Sequence, residues 1–143
     1  MECPRILLAD DHHEMLRTIT ELLESEFEIV AAVTNGEQLI EAALHLDPDL
    51  IVLDISMPIV NGIRAASHLR KSASRAKVIF LTVHEDPVFV AAAVSAGALG
   101  YVLKHRVSID LIPAVRAVLQ GHAFASPSVL MQQSRSSLLG RWS

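Results

Sequence analysis

Residues 50–58 read LIVLDISMP, and this stretch decides the fold. Four apolar residues lie between Pro48-Asp49 and a single carboxylate, Asp54, a pattern typical of a strand buried on both faces of a parallel sheet. An acid at the carboxyl end of such a strand lies where open α/β sheets carry their functional groups. Asp54 could instead only cap the turn that leads to Pro58. The remainder of the chain favours a functional Asp54.

Strand-like and helix-like apolar segments alternate along the whole chain. The predicted strands are 5–9, 28–33, 50–54, 77–82 and 98–103, and the predicted helices are about 13–25, 37–46, 62–71, 87–96 and 108–120. Five strands that alternate with five helices predict a mostly parallel sheet with helices on both faces.

Several predicted helix ends carry local signals. Asp86 followed by Pro87 is a typical N-cap and first helical residue, and Gly97 is a typical C-terminal stop. Ser108 is predicted to cap the fifth helix. Pro113 falls one turn inside that helix and lacks a backbone N–H, so we expect a late start or a kink there.

The composition excludes several classes of protein. With 143 residues, 51% of them apolar and 20% charged, the chain is expected to form one folded domain. A net charge of −4 gives no basic surface, so direct nucleic-acid binding by this chain is not expected. Cys3 is the only cysteine, which fits a reducing, cytoplasmic compartment. Residues 87–103 are uncharged but short and broken by glycine, so no membrane association is expected.

Functional side chains follow four of the five predicted strands. Asp10 and Asp11 follow the first strand, Asp54 ends the third, Thr82 ends the fourth and Lys104 follows the fifth. Parallel strands end at one edge of the sheet, so these groups are predicted to converge. Two carboxylates about 5 Å apart repel by roughly 3 kcal/mol at an effective dielectric of ~20. Lys104 and a hard divalent cation, Mg²⁺ or Mn²⁺, are the expected counter-charges.

This set of groups is suited to phosphoryl transfer. Asp54 would act as the nucleophile and form an aspartyl phosphate. Lys104 and the metal ion would neutralise charge on the transferred group.

Four segments, ILLADDHHEM, LIVLDISMPIVNG, VIFLTVHED and AGALGYVLK, occur in this order. Together they resemble the receiver domain of two-component response regulators, most of all its NarL/FixJ (LuxR-type) branch. The resemblance covers about residues 4–121. It implies a flavodoxin-like (βα)5 fold, a doubly wound five-stranded parallel sheet in the order 2-1-3-4-5. It also implies a receiver domain over residues 1–121. The residues that follow, 122–143, are predicted from their own sequence to form a C-terminal tail or linker, with a short sixth helix that starts near Ser126-Pro127 as the alternative.

The resemblance implies a phosphorylation switch and not an enzyme, beyond its own phosphorylation and dephosphorylation. Asp54 is the implied phosphoacceptor, and the implied metal ligands are Asp10, Asp11, Asp54 and the backbone carbonyl of Ser56. Thr82 and Lys104 would contact the phosphoryl group, and Thr82 and Tyr101 would act as switch residues. Ser56 and His84 would control the lifetime of the phosphate.

The implied partner is a sensor histidine kinase, with a homodimer as an open alternative. The implied output is transcription, through a LuxR-type DNA-binding domain that this chain does not contain. Three alternatives remain: a stand-alone receiver that acts by protein–protein contact, a pseudo-receiver that cannot be phosphorylated, and a metal-dependent phosphatase. The phosphatase is disfavoured because Ser56 stands where such enzymes usually carry a second aspartate.

His12 and His13 adjoin the two N-terminal acids and allow two interpretations. They could belong to a transition-metal site, or they could be loop histidines at the start of a helix. The second interpretation is favoured on the sequence.

Overall fold

A computed structural model describes residues 3–72 and 74–127. The strands are β1 (Arg5–Ala9), β2 (Glu28–Val33), β3 (Leu50–Asp54), β4 (Lys77–Thr82), β5 (Gly100–Leu103) and β6 (Phe124–Ala125). The helices are α1 (His13–Leu23), α2 (Gly36–Leu46), α3 (Gly62–Lys71), α4 (Pro87–Ser95) and α5 (Val107–Leu119), and a 3-10 turn, Lys104–Arg106, precedes α5.

All strand pairs are parallel, and the sheet order is β2-β1-β3-β4-β5-β6. The predicted flavodoxin-like order of the first five strands is therefore confirmed. The sixth strand was not predicted, because two residues carry no periodic signal. Its position depends on long-range hydrogen bonds, in which the Phe124 amide donates to the Leu99 carbonyl and the Ser126 amide to that of Tyr101, each at 3.0 Å. The helix considered for the tail would fall mainly on residues 128–143, outside the described part.

β3 lies at the centre of the sheet, and all five of its residues are buried. Leu50 and Val52 face the core layer under α1 and α5, whereas Ile51 and Leu53 face the layer under α2, α3 and α4. Burial of one such side chain contributes about 2 kcal/mol. Burial on both faces explains why the segment is continuously apolar instead of alternating.

The predicted ends of α4 are confirmed. Asp86 Oδ1 accepts a 2.9 Å hydrogen bond from the Val88 amide, and Pro87 is the first helical residue. Gly97, just after the helix, has a φ of +95°, which favours glycine. Residues 87–103 thus form α4, a four-residue connection and β5, and no helix among the described residues is long and apolar enough to cross a bilayer.

The predicted start of α5 was wrong. The helix begins at Val107, continues directly from the 3-10 turn, and has no side-chain cap, so Ser108 is not its N-cap. A late start at Pro113 was also wrong, because that residue lies inside the helix. Proline is tolerated there because Pro113 lies on the exposed side of the helix. It has no N–H to donate to the carbonyl of Ile109, four residues earlier, and Ile109 is itself 62% exposed.

Candidate functional site

The carboxyl edge of the sheet brings the predicted residues together. Asp10 follows β1, Asp54 ends β3 and Lys104 follows β5, and β1, β3, β4 and β5 are consecutive neighbours in the sheet. The Lys104 ammonium lies 2.9 Å from Asp10 Oδ2 and 2.9 Å from Asp54 Oδ2. Two carboxylates from distant parts of the chain therefore share one cation.

Burial controls the electrostatics of this cluster. Asp10 is 0% exposed and Asp54 is 3% exposed. Burial raises the pKa of Asp54 above its ordinary value, and the contact with Lys104 only partly opposes the change. Burial acts to lower the pKa of Lys104, but its contacts with Asp10 and Asp54 outweigh this effect and raise that pKa. The lysine is therefore a cation, and the carboxylates outnumber it.

The side chain of Asp54 has two different sets of contacts. Its Oδ1 accepts a 3.1 Å hydrogen bond from the Ser56 amide, while its Oδ2 accepts one from Lys104. The next helix, α3, is instead capped by Asn61, which accepts from the Arg64 amide at 2.9 Å. Asp54 thus stabilises the turn with Oδ1 and contacts Lys104 with Oδ2. Turn capping therefore explains only one of the two contacts of its carboxylate.

The turn after Asp54 is packed tightly against the strand. A Cβ at Gly62 would stand 2.1 Å from the Asp54 carbonyl oxygen, and the Gly62 amide donates to the Ile55 carbonyl at 2.8 Å. Only glycine allows this approach. The close contact holds the start of α3 directly against the end of β3 and so fixes the position of Asp54.

The pocket has the donor set of a cation site. Asp10, Asp11 and Asp54 each offer a carboxylate oxygen, and these atoms and His12 Nδ1 all lie within 4.8 Å of one another. Asp10 Oδ2 is buried and makes no hydrogen bond, since its contact with Lys104 is an ion pair without hydrogen-bond geometry. Three carboxylates gathered around one ammonium fit a divalent cation such as Mg²⁺.

His12 belongs to this cluster, although the sequence favoured a simple loop histidine. Its Nδ1 lies 3.0 Å from Asp10 Oδ1, 3.2 Å from Asp11 Oδ1 and 3.3 Å from Lys104 Nζ. His13, by contrast, is the exposed first residue of α1. Adjacency to Asp10-Asp11 was the only signal in the sequence, and it could not show which of the two rings points inward.

The predicted switch residues meet at the backbone of His84. The His84 amide donates to Thr82 Oγ1 at 3.0 Å, and the Tyr101 hydroxyl donates to the His84 carbonyl at 2.9 Å. Thr82 and Tyr101 are both 0% exposed, and burial raises the pKa of the phenol, which keeps it protonated as a donor. Tyr101 therefore lies in an inward orientation in this structure.

The two residues predicted to control phosphate lifetime are also adjacent. Ser56 Oγ lies 3.5 Å from His84 Nε2, so the pair joins the segment after Asp54 to the segment after Thr82. The imidazole of His84 stacks on Phe89 of α4, with ring centroids 4.1 Å apart and planes inclined by 12°. Phe89 was missed in the sequence because nothing there distinguishes it from its apolar neighbours.

Comparisons with known proteins identify the family of the chain. Residues 6–116 match the family described as "Response regulator receiver domain". The chain is 38% identical over 127 residues to the transcriptional regulatory protein DegU of Brevibacillus brevis, covering 87% of this chain and 54% of DegU. It is 36% identical over 129 residues to the nitrate/nitrite response regulator protein NarL of Escherichia coli, covering 88% of this chain and 60% of NarL. The chain thus spans little more than half the length of these relatives.

A solved structure has the same fold. A LuxR-family two-component response regulator from Aurantimonas sp. SI85-9A1 superposes with a TM-score of 0.90 at 28% identity, covering 96% of this chain and 99% of that one. The parallel sheet, the acidic pocket at its carboxyl edge and the family match lead to one conclusion: the chain belongs to the response regulator receiver domain family and is similar to the receivers of LuxR-type regulators.

Proposed function

We propose that this receiver accepts a phosphoryl group on Asp54 from a sensor histidine kinase. The observation that carries the proposal is the position of Lys104, 2.9 Å from both Asp10 and Asp54 at the carboxyl edge of the sheet. A fixed ammonium beside a buried carboxylate can stabilise the negative charge that phosphoryl transfer brings to the carboxylate.

In the proposed transfer, an oxygen of Asp54 attacks phosphorus. The bond from phosphorus to the donor nitrogen breaks, its electron pair returns to the donor histidine, and an acyl phosphate forms on Asp54. Lys104 exchanges its contact with Asp54 Oδ2 for contacts with the phosphoryl oxygens. Because Lys104 also contacts Asp10, it stays in the pocket during this exchange.

Asp10, Asp11, Asp54 and the backbone carbonyl of Ser56 would hold Mg²⁺ or Mn²⁺. The ion supplies positive charge beside the transferred group. The support for this assignment is the compact set of carboxylates and the unbonded buried oxygen of Asp10. Asp10 directly follows β1 and Asp54 ends β3, and both are buried, whereas Asp11 is exposed.

Thr82 and Tyr101 would transmit the phosphorylation state. Thr82 Oγ1 accepts the His84 amide, so its own O–H remains able to donate to a phosphoryl oxygen. Movement of Thr82 toward that oxygen would disturb His84, whose carbonyl anchors Tyr101. The surface formed by α4, β5 and α5 would then change its partner preference, with a homodimer as one outcome. Phosphorylation shifts this equilibrium only by its differential affinity for the two states.

The rest of the assignment is proposed by analogy with the relatives. We propose that residues 1–121 form the receiver, that 122–143 form a tail or linker, and that the protein acts in the cytoplasm. The relative DegU is named a transcriptional regulatory protein. By analogy the proposed output is transcription through a LuxR-type DNA-binding domain outside this chain, and the switch itself is not a metabolic enzyme. A stand-alone receiver that acts through protein contacts is the alternative.

Incubation with Mg²⁺ and acetyl phosphate, read by intact mass, tests the proposal. We expect a gain of one phosphoryl group, about 80 Da, which requires Mg²⁺ and is absent in Asp54→Asn. Asp110→Asn is the matched control, because Asp110 is also a buried aspartate but lies in α5. If neither acetyl phosphate nor a phosphorylated histidine kinase labels the protein, the pseudo-receiver alternative replaces the proposal.

A further inference from the structure

We propose that the acidic pocket is a mixed nitrogen–oxygen site that binds a divalent transition metal of the Zn²⁺ and Co²⁺ class, with His12 Nδ1 as a ligand. This inference deepens the proposed function, since it uses the same carboxylates and names the class of metal that they and His12 select together.

The distances around His12 suit metal coordination. Ligand atoms about 2.1 Å from a transition metal stand roughly 3 to 3.5 Å from one another. His12 Nδ1 lies 3.0 Å from Asp10 Oδ1 and 3.2 Å from Asp11 Oδ1, within that range. Asp54 Oδ2 is 4.0 Å from the same nitrogen, which a small side-chain rotation would shorten.

The charges in the pocket favour a cation beside His12. Three carboxylates surround the imidazole nitrogen, and Lys104 is the only lysine or arginine paired with any of them among the described residues. Asp10 adds a further observation, because its Oδ2 is buried and has no partner in hydrogen-bond geometry, although the Lys104 ammonium lies 2.9 Å away. A divalent ion would add the positive charge that the single Lys104 ammonium cannot supply to three carboxylates.

The position of the ring leaves Nδ1 available for a metal. Nδ1 is the ring atom that faces the pocket, 3.0 Å from Asp10 Oδ1 and 3.3 Å from Lys104 Nζ, and whether it donates or accepts depends on the tautomer of the ring. In the tautomer that carries its proton on Nε2, the Nδ1 lone pair can form the metal bond in exchange for the contact with Lys104. The His12 side chain is 67% exposed, which permits this exchange.

The nitrogen donor discriminates between metals. Mg²⁺ prefers an all-oxygen shell with retained water, whereas imidazole suits Zn²⁺, Co²⁺ and Ni²⁺. His12 should therefore strengthen binding of the second group and contribute much less to binding of Mg²⁺.

A titration with Co²⁺ alone tests the inference, followed by visible absorption at about pH 8, where free imidazole is neutral. Mg²⁺ affinity is measured separately by competition. We expect His12→Ala to raise the Kd for Co²⁺ at least tenfold and to lower the preference for Co²⁺ over Mg²⁺ by a similar factor. His13→Ala is the matched control, because it removes the adjacent, exposed histidine, and its Kd for Co²⁺ should stay within twofold of wild type.

Two more variants separate the loss of a ligand from misfolding and from binding at a different position. His12→Gln keeps a polar side chain, so its loss of Co²⁺ affinity, together with an unchanged thermal transition, excludes misfolding. Asp10→Asn should also weaken Co²⁺ binding, and binding that survives this change lies elsewhere and overturns the inference. Equal Co²⁺ affinity in wild type and His12→Ala overturns it as well.

The outcome is distinguishable from failure of the proposed function. Labelling of wild type by acetyl phosphate with Mg²⁺ reports on Asp54 and needs no transition metal. A protein that is labelled but binds Co²⁺ independently of His12 refutes only the inference. A protein that binds Co²⁺ through His12 but is never labelled refutes only the proposed phosphorylation.

Discussion

The hydroxyl of Tyr101 donates a 2.9 Å hydrogen bond to the backbone carbonyl of His84, and this bond ties β5 to the segment after β4. The same residue, His84, donates its amide to Thr82 and places its ring against Phe89. A change at Thr82 therefore has a short physical route both to the core position of Tyr101 and to the surface of α4.

Removal of the phenolic hydroxyl should separate this hydrogen bond from the packing of the ring. We expect Tyr101→Phe to lower the free energy of unfolding by about 1 kcal/mol, the net value of one such bond. Tyr101→Ala should cost about 3–5 kcal/mol, because it leaves a cavity at a position that is 0% exposed. Urea denaturation at neutral pH gives both values. If both variants lost the same free energy of unfolding, packing of the ring would contribute nothing beyond the hydrogen bond, contrary to this prediction.

Loss of Lys104 should leave two buried carboxylates without a counter-charge. We expect Lys104→Met to lower the free energy of unfolding by about 3–5 kcal/mol without metal, the usual cost of breaking a buried ion pair on one side. Addition of Asp54→Asn should recover part of this loss, since one of the two charges is then removed. A double-mutant cycle measures the coupling, and strictly additive effects would show that the 2.9 Å contact is energetically unimportant.

The raised pKa of Asp54 predicts a specific pH dependence of stability. A folded-state pKa above the ordinary value of 3.8 means that the folded protein binds the proton more tightly than the unfolded chain. The stabilisation from that proton is fully present below pH 3.8 and is lost as the pH rises through the raised folded value. At neutral pH without metal, Asp54→Asn should therefore be more stable than wild type, by about 1 kcal/mol or a Tm rise of several degrees.

Thermal unfolding of both proteins between about pH 3 and pH 8 checks this sign. The advantage of Asp54→Asn should vanish at the acid end of the range and shrink at neutral pH when Mg²⁺ is added, because the ion offsets the carboxylate charge. An advantage that grows on acidification would contradict the assignment.

Ser126 should anchor the sixth strand. Its hydroxyl donates to Asp110 Oδ2 at 2.9 Å and accepts the Leu103 amide at 3.1 Å, and the residue is 0% exposed. We expect Ser126→Ala to cost about 1–3 kcal/mol, since it leaves buried polar partners unsatisfied. Amide hydrogen exchange at Phe124 should accelerate more than exchange in β3. Ser108→Ala, at an exposed serine, is the control and should change neither property.

Much of the fold was predictable because it follows from local patterns repeated along the chain. The apolar run of β3 indicated burial on both faces, and the alternation of strands with helices indicated a parallel doubly wound sheet. Once that topology was predicted, the meeting of Asp10, Asp54 and Lys104 followed from geometry, since parallel strands end at one edge. The two ends of α4 were predictable because Asp86 and Gly97 lie next to the helix that they begin and end.

What the sequence by itself determined is thus the order of the first five strands and the five helices, and the convergence of Asp10, Asp54 and Lys104 at one edge of the sheet. The tertiary structure alone decided the pairing of β6, the start of α5 after a 3-10 turn, the contact of His12 Nδ1 with the acidic pocket and the stacking of His84 on Phe89. The physical reason is the range of the interactions. The apolar run of β3 and the caps of α4 follow from residues adjacent in sequence, whereas a two-residue strand or the direction of a loop side chain depends on groups that only the folded chain brings within reach.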